Sequence, residues 1–408
     1  MSEMIQVPDG WEVKKLSEVG EIITGNTPST DNQEYYNGNI PFVGPSDLGE
    51  EKYILKSKKT ITSKGFEQTR KLPKNSILVT CIGELGKIGI SKLELATNQQ
   101  INSLVCNKKF DTEFVYYALG ADIKSQMQKE AGLQVVQIVN KSSFSKLNLI
   151  IPKEKKEQEK IAKILSTLDK AIESTNRLIE KEKNIKTALM QELLTNGIDK
   201  NGQIRSPQTH TYKQSELGLI PDEWDIEPFS KVASINMGQS PESEFVNENQ
   251  IGIPFLQGNA EFGDKYPIEI YWTPQPKKTS KANDILISVR APVGDINISE
   301  KEYCIGRGLA SLTIKNIDLG FGYYALIEER YQLNRLAQGS TFLAIGKNDF
   351  DKLMVKIPTS KSEQKQIAKI LTTQDKKIQT EETNLAKLKE LKKGLMNDLL
   401  SGKVRVKI

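Results

Sequence analysis

Residues Glu157 to Asn196 return, without a gap, as Glu363 to Gly402, a shift of 206 residues. The first copy opens EQEKIAKILSTLDKAIE and the second EQKQIAKILTTQDKKIQ. Ile161, Leu165, Leu168, Ile172, Ile179, Leu189 and Leu193 fall on a three-to-four-residue spacing, and Ile367, Leu371, Ile378, Leu385, Leu388, Leu395 and Leu399 nearly repeat it. Charged and polar residues fill the remaining positions. This pattern predicts two helices, each with one apolar seam and the rest in water. At 1.5 Å per residue each would be about 60 Å long. A seam that narrow is no globular core, so it needs a partner helix, and its own copy is the obvious one.

The rest of the chain repeats as well. PDGWEVKKLSEV at Pro8 answers PDEWDIEPFSKV at Pro221, and NSILVTCIGELGKIGI at Asn75 answers NDILISVRAPVGDINI at Asn283. Gly25 and Pro28 answer Gly238 and Pro241, and Ile40-Pro41-Phe42 answers Ile253-Pro254-Phe255. The shift drifts in these parts and stays constant in the helices, so loops tolerate length changes and helices do not. The expected order is a globular segment 1–152, a helix 153–197, a linker 198–215, a second globular segment 216–358, and a helix with tail 359–408. Ile77-Leu78-Val79 and the run Leu147 to Ile151 read as strands, and Phe114 to Leu119 as helix. The linker is expected because 198–215 is polar, with Gly and Pro and no apolar period. The fold class is therefore mixed α/β: two pseudo-symmetric globular domains joined by two long antiparallel helices in a coiled coil.

With 408 residues and 37% hydrophobic content, such a chain has material for real cores. It shows no apolar run of about 18 residues and no export-signal pattern, which points away from a membrane. Cys81, Cys106 and Cys304 have neither paired nor metal-ligand spacing and read as free thiols in a reducing, cytoplasmic setting. The net charge of +5 permits a polyanion partner without requiring one. Two similar heads on a rigid antiparallel spacer would suit a long, two-fold symmetric ligand. B-DNA is one, with half-sites about 34 Å apart per helical turn.

Signatures of catalysis are missing. There is no target-base motif of a methyltransferase and no Walker A sequence. Gly83, Gly86 and Gly89 read as turn glycines, because the second copy keeps only Gly294 of the three. Asp9, Glu12 and Lys14 lie too close together for a nuclease metal site, and no zinc ligand set occurs. His210, the single histidine, sits in the expected linker and reads as solvated.

The stretch TGNTPSTDNQEYYNGNIPFVGPSDL, Thr24 to Leu48, resembles the opening of a target-recognition domain in the specificity subunits of type I restriction-modification systems. Tyr36 and Phe42 stand where that pattern has tryptophans. The second copy is looser, with MGQSPESE from Met237, IPFLQGNAEFG from Ile253 and CIGRGLASL from Cys304. The EQ-x-x-I-A-x-I-L stretch that follows Pro152, and again Pro358, resembles the family's helical regions.

The resemblance implies a subunit without catalysis of its own and without bound cofactor. Each of its two domains would read one half of a bipartite double-stranded DNA target, and the helices would set the gap. Two methylation subunits would join it to methylate adenine N6 with S-adenosylmethionine. Motor-nuclease restriction subunits, with ATP and magnesium, would complete the assembly. A free-standing coiled-coil DNA-binding or scaffold protein is the alternative. Base edges are read by amide, hydroxyl, guanidinium and ammonium groups. The loops that vary between the copies offer Thr27, Ser29, Ser46, Asp47, Asn98, Gln99, Gln100 and Lys141 in the first domain. In the second they offer Gln239, Ser240, Gln257, Asn259, Arg290, Arg307, Thr341 and Lys347. Arg290 and Arg307 are the expected guanine contacts, since a guanidinium serves two acceptors at once. Lys56, Lys58 and Lys59 are phosphate candidates.

Overall fold

The computed structural model describes residues 7–132, 136–338 and 344–407. Two long helices, Lys155–Leu193 of 39 residues and Lys361–Leu400 of 40, run through a chain that otherwise alternates short strands and turns. Contacts divide it into two compact units: residues 1–176 with 383–408, and residues 177–382. Each unit thus takes one half of each long helix.

In the first unit a five-stranded sheet runs in the order Gly20–Thr24, Ile101–Cys106, Ile77–Thr80, Ile88–Ser91, Tyr53–Ile54. All pairings are antiparallel except the last. Ile77–Thr80 is buried along its whole length, as a central strand covered on both faces must be. A smaller sheet orders Lys59–Ile61, Tyr36–Val43, Ala96–Thr97. Helix Thr112–Ala131 begins at Asp111, whose carboxylate caps the amide of Phe114 at 2.8 Å, and buries Phe114, Tyr117, Leu119, Ile123 and Met127.

The second unit rebuilds these parts. Its main sheet runs Ala233–Met237, Leu309–Ile314, Ile285–Ser288, Ile296–Ile298, and its small sheet Tyr271–Thr273, Ile253–Leu256, Cys304–Ile305. The repeated tryptophan opens an equivalent strand pair in each unit. Trp11 lies opposite Pro152 and Trp224 opposite Pro358, so each strand that closes a head runs directly into a long helix.

The helices pack antiparallel in both units. In the first, Asp169 meets Lys392 at 2.5 Å, and Arg405, just beyond the second helix, reaches Glu157 at 2.7 Å. In the second, Glu182 meets Lys377 at 2.8 Å and Lys186 meets Asp375 at 2.6 Å. The seam does more than join helices. Ile161, Leu165, Leu399 and Leu400 share one core with Trp11 and Phe114, and Met190, Leu193, Ile367 and Leu371 share another with Trp224 and Phe321. The helix ends are therefore core pieces of the heads, and only the middle of each seam is narrow.

Residues 198–215 differ from the expected linker. Ile198 is buried and bridges Ile204, Arg205 is 5% exposed, and Tyr212–Ser215 pairs with Gly218–Pro221 as a hairpin. A boundary at 215 would cut that hairpin. The segment is held because Arg205 reaches Glu363 at 2.5 Å, a long-range ion pair that local composition does not announce. No helix among the described residues is long and apolar enough to cross a membrane.

Candidate nucleic-acid interface

One end of the first unit's main sheet collects four loops. Residues 25–30 follow strand Gly20–Thr24, residues 98–100 precede strand Ile101–Cys106, and residues 81–87 join Ile77–Thr80 to Ile88–Ser91. Residues 136–140 fold over them. Cys81 donates its amide to Gln100 at 2.8 Å, Gly83 to Gln137 at 3.0 Å, and Val139 to Cys81 at 2.9 Å. The approach is close enough to exclude a side chain at Gly25. A Cβ there would stand 2.2 Å from the Asn98 carbonyl oxygen. The repeat keeps this glycine as Gly238, whose Cβ would stand 2.1 Å from the Gly306 carbonyl oxygen.

The second unit gathers the matching loops. Gln239 donates its amide to Ile305 at 2.8 Å, Val289 to Gly308 at 2.8 Å, and Ile345 to Val289 at 2.9 Å. Arg290 bridges Ala344 backbone to backbone, and the Arg307 amide reaches the Ser240 hydroxyl at 3.3 Å. Gln257 and Asn259 lie just beyond strand Ile253–Leu256, on which Gly306 closes by donating its amide hydrogen to the Leu256 carbonyl at 2.7 Å.

The sequence-derived candidates therefore converge within each unit, but their side chains are not equally available. Ser29, Ser46, Lys141, Gln239, Gln257, Arg290, Arg307 and Lys347 are exposed. Thr27 is exposed and donates to Gln99 Oε1 at 2.7 Å, while Asn98 donates to Gln100 Oε1 at 2.9 Å, so these amides form a preset polar array. Ser240 is half-buried. Asp47 is engaged elsewhere: its carboxylate accepts from the Gly44 amide at 2.8 Å and the Lys58 amide at 2.9 Å, which fixes the turn. Asn259 donates to Asp295 at 2.8 Å. Thr341 lies outside the described residues. Among the phosphate candidates, the Lys58 amide closes the Asp47 turn. Arg70 joins the first unit's set without having been singled out. It is exposed, donates to the Thr24 carbonyl at 2.8 Å, and its amide bonds Asn26 at 2.8 Å. Its sequence neighbours carry no repeat, so no pattern marked it.

Behind each loop end, repeated residues fasten head to helix. The glutamine of each EQ pair ties two elements. Gln158 donates to Pro152 carbonyl at 2.8 Å and accepts from the Asp111 amide at 2.8 Å. Gln364 does the same with Pro358 and Asp318, both at 2.7 Å. Tyr117 donates to Asp169 and Tyr324 to Asp375, the second at 2.6 Å. The first clamp carries an extra cation. Lys52 lies over the Tyr117 ring at 4.2 Å and pairs with Glu113. Burial holds the Lys52 ammonium below its usual range, partly offset by Glu113. Burial alone would raise the Glu113 carboxyl, but hydrogen bonds from Lys52 and Tyr53 outweigh it and the net direction is down. Among the described residues no three His, Cys, Asp or Glu side chains are grouped to hold a metal ion.

The family model of the type I restriction modification DNA specificity domain matches residues 8–183 and again 221–390. The chain belongs to this family. Both matches of the specificity domain run from a head into the long helix behind it, so the repeating unit is head plus helix. The chain is 32% identical, over all of its own length and 96% of the relative's, to a putative type I restriction enzyme MjaX specificity subunit of Methanocaldococcus jannaschii. It is 33% identical, over 48% of its length and 42% of the relative's, to the HindI specificity subunit of Haemophilus influenzae. Its fold is similar to a type I system S subunit from M. genitalium, with TM-score 0.65, 17% identity and 98% of both chains covered. It is also similar to a chain of a type I system studied for complex assembly, with TM-score 0.61, 23% identity, and 98% of this chain and 100% of that one covered.

Proposed function

We propose that this chain is the sequence-specific DNA-recognition subunit of a type I restriction-modification complex. Each loop end reads one half of a bipartite duplex target, and the paired helices set the distance between the halves. The observation that carries this reading is the doubled loop end. In both units a glycine-enforced close approach brings variable polar loops together on a head fastened to a long helix. Amides, hydroxyls and the exposed Arg70 at one end, and the exposed Arg290 and Arg307 at the other, match the donor and acceptor edges of the major groove. The two ends carry different residues on one scaffold, which suits two different half-site sequences.

The chain performs no chemistry in this scheme. Two methylation subunits supply the S-adenosylmethionine site and the pocket for a flipped adenine. Motor-nuclease subunits supply the ATP- and magnesium-dependent cleavage. Co-expression with its methylation subunit, followed by sequencing of methylated adenines, tests the reading. The expected result is a split motif with a fixed gap, of which one half alone changes when residues 1–152 are exchanged for those of another family member. Methylation or cleavage by the pure chain would refute it, as would a change in both halves.

A further inference from the structure

The helix repeat provides an internal control for every seam contact. Asp169 and Lys392 pair in the first unit, Asp375 and Lys186 in the second. Shifting by 206 residues converts Asp169 to Asp375 and Lys186 to Lys392. The two ion pairs are copies of one contact. They would form equally well if the first helix met the first helix of another molecule, with Asp169 facing Lys186 of the other copy. They hold helices together without choosing which helices.

Glu182 breaks this rule. It is 3% exposed. One carboxylate oxygen lies 2.8 Å from Lys377 Nζ, and the other accepts from Gln374 Nε2 at 2.8 Å. The same Gln374 amide also donates to the Glu182 carbonyl at 2.9 Å. The positions related to Glu182, Gln374 and Lys377 by 206 residues are Leu388, Leu168 and Ala171, all half-buried. If two first helices paired in this register, each Glu182 would face Leu168 and Ala171, which have no side-chain donor. If two second helices paired, Gln374 and Lys377 would face Leu388. A polar group in an apolar seam is tolerated where its partner is present and penalised where it is not.

We infer that the cluster of Glu182, Gln374 and Lys377 makes the helix pairing selective: the first helix accepts the second and rejects a copy of itself. One chain then supplies both halves of its own clasp, although the two halves are otherwise close copies. This selectivity works through a contact that only the wrong pairing loses. It does not depend on what the heads bind.

A disulfide reporter tests it on the full chain. Chains with Asp169→Cys and chains with Lys186→Cys are mixed, unfolded, refolded together and oxidised. These positions face each other only when a first helix meets a first helix, so a linked dimer counts like pairing. Chains without the added cysteines give the background. Placing E182L and Q374L in both chains copies the first unit's leucine seam and should raise the linked dimer several-fold. Independently, L168Q supplies the donor that Glu182 lacks in the like pairing and should also raise it several-fold. A rise with L168Q supports the selectivity even where the leucine pair fails to refold. Linked dimer unchanged by L168Q, or by a folded leucine pair, overturns it.

Discussion

Replacing Glu363 by alanine should destabilise the second unit by about 3 to 5 kcal/mol, the usual effect of breaking a buried ion pair from one side. The Glu363 carboxylate is 7% exposed and accepts four bonds: Arg205 at 2.5 and 3.0 Å, the Ile198 amide at 3.0 Å, and Trp224 Nε1 at 3.1 Å. Truncation leaves a guanidinium that is 5% exposed with Glu223, itself 70% exposed, as its remaining carboxylate partner. It also removes the acceptor of two N–H groups. A unit of this size loses roughly 2 to 4 °C per kcal/mol, so its transition should fall by about 6 to 20 °C. Tryptophan fluorescence in a thermal scan follows it, because Trp224 donates to the lost carboxylate. Two units need not melt together, so the transition is assigned by comparison with Glu157→Ala. Glu157 occupies the same motif position, but its partner Arg405 is 43% exposed and would be released to water. The alanine shift at Glu157 should therefore be the smaller. Equal shifts, or a loss below about 1 kcal/mol at Glu363, would refute the claim that burial of the arginine decides the magnitude.

Arg307→Ala should weaken recognition of one half-site by about 1 to 3 kcal/mol and leave the other half unchanged, as read by methylation of oligonucleotides varied one half at a time. Gly25→Ala should destabilise the first unit by about 1 to 3 kcal/mol, because the new methyl meets backbone oxygens that cannot turn away; urea titration measures it. Burial pushes the Cys81 and Cys106 thiols up to about 12. In the unfolded chain they ionise near 8.5, so the folded state keeps its protons longer. Stability should hold below about pH 8 and fall as pH rises from about 8.5 towards 12, a decline that Cys81→Ala should reduce in urea melts.

The helices were legible because 206-residue repetition and a three-to-four spacing are statements about period, and period survives without tertiary information. Strands Ile77–Thr80 and Asn148–Pro152 were legible for the same reason, as apolar runs between turn residues. The loops that gather at each sheet end could be named from differences between the copies. Their individual duties could not. Asp47 looks like a free reader in sequence and is a turn lock in space. The folded state of 198–215 was hidden because one arginine holds it, through a carboxylate 158 residues away. Glu182 stands where the second copy has Leu388, but its donors become known only once the opposite helix is in register.

Residues 8–11 pack against residues 399–405. Pro8 crowds Gly402, Arg405 donates to the Asp9 carbonyl, and Leu399 and Leu400 belong to the first unit's core. On the ribosome, residues 177–382 are complete before those last residues exist, so the head made first is the one that closes last. A product lacking residues 397–408 would carry a finished second head and an open first one, its apolar interior available to proteases. The first head is thereby closed by a segment that follows the whole second head along the chain.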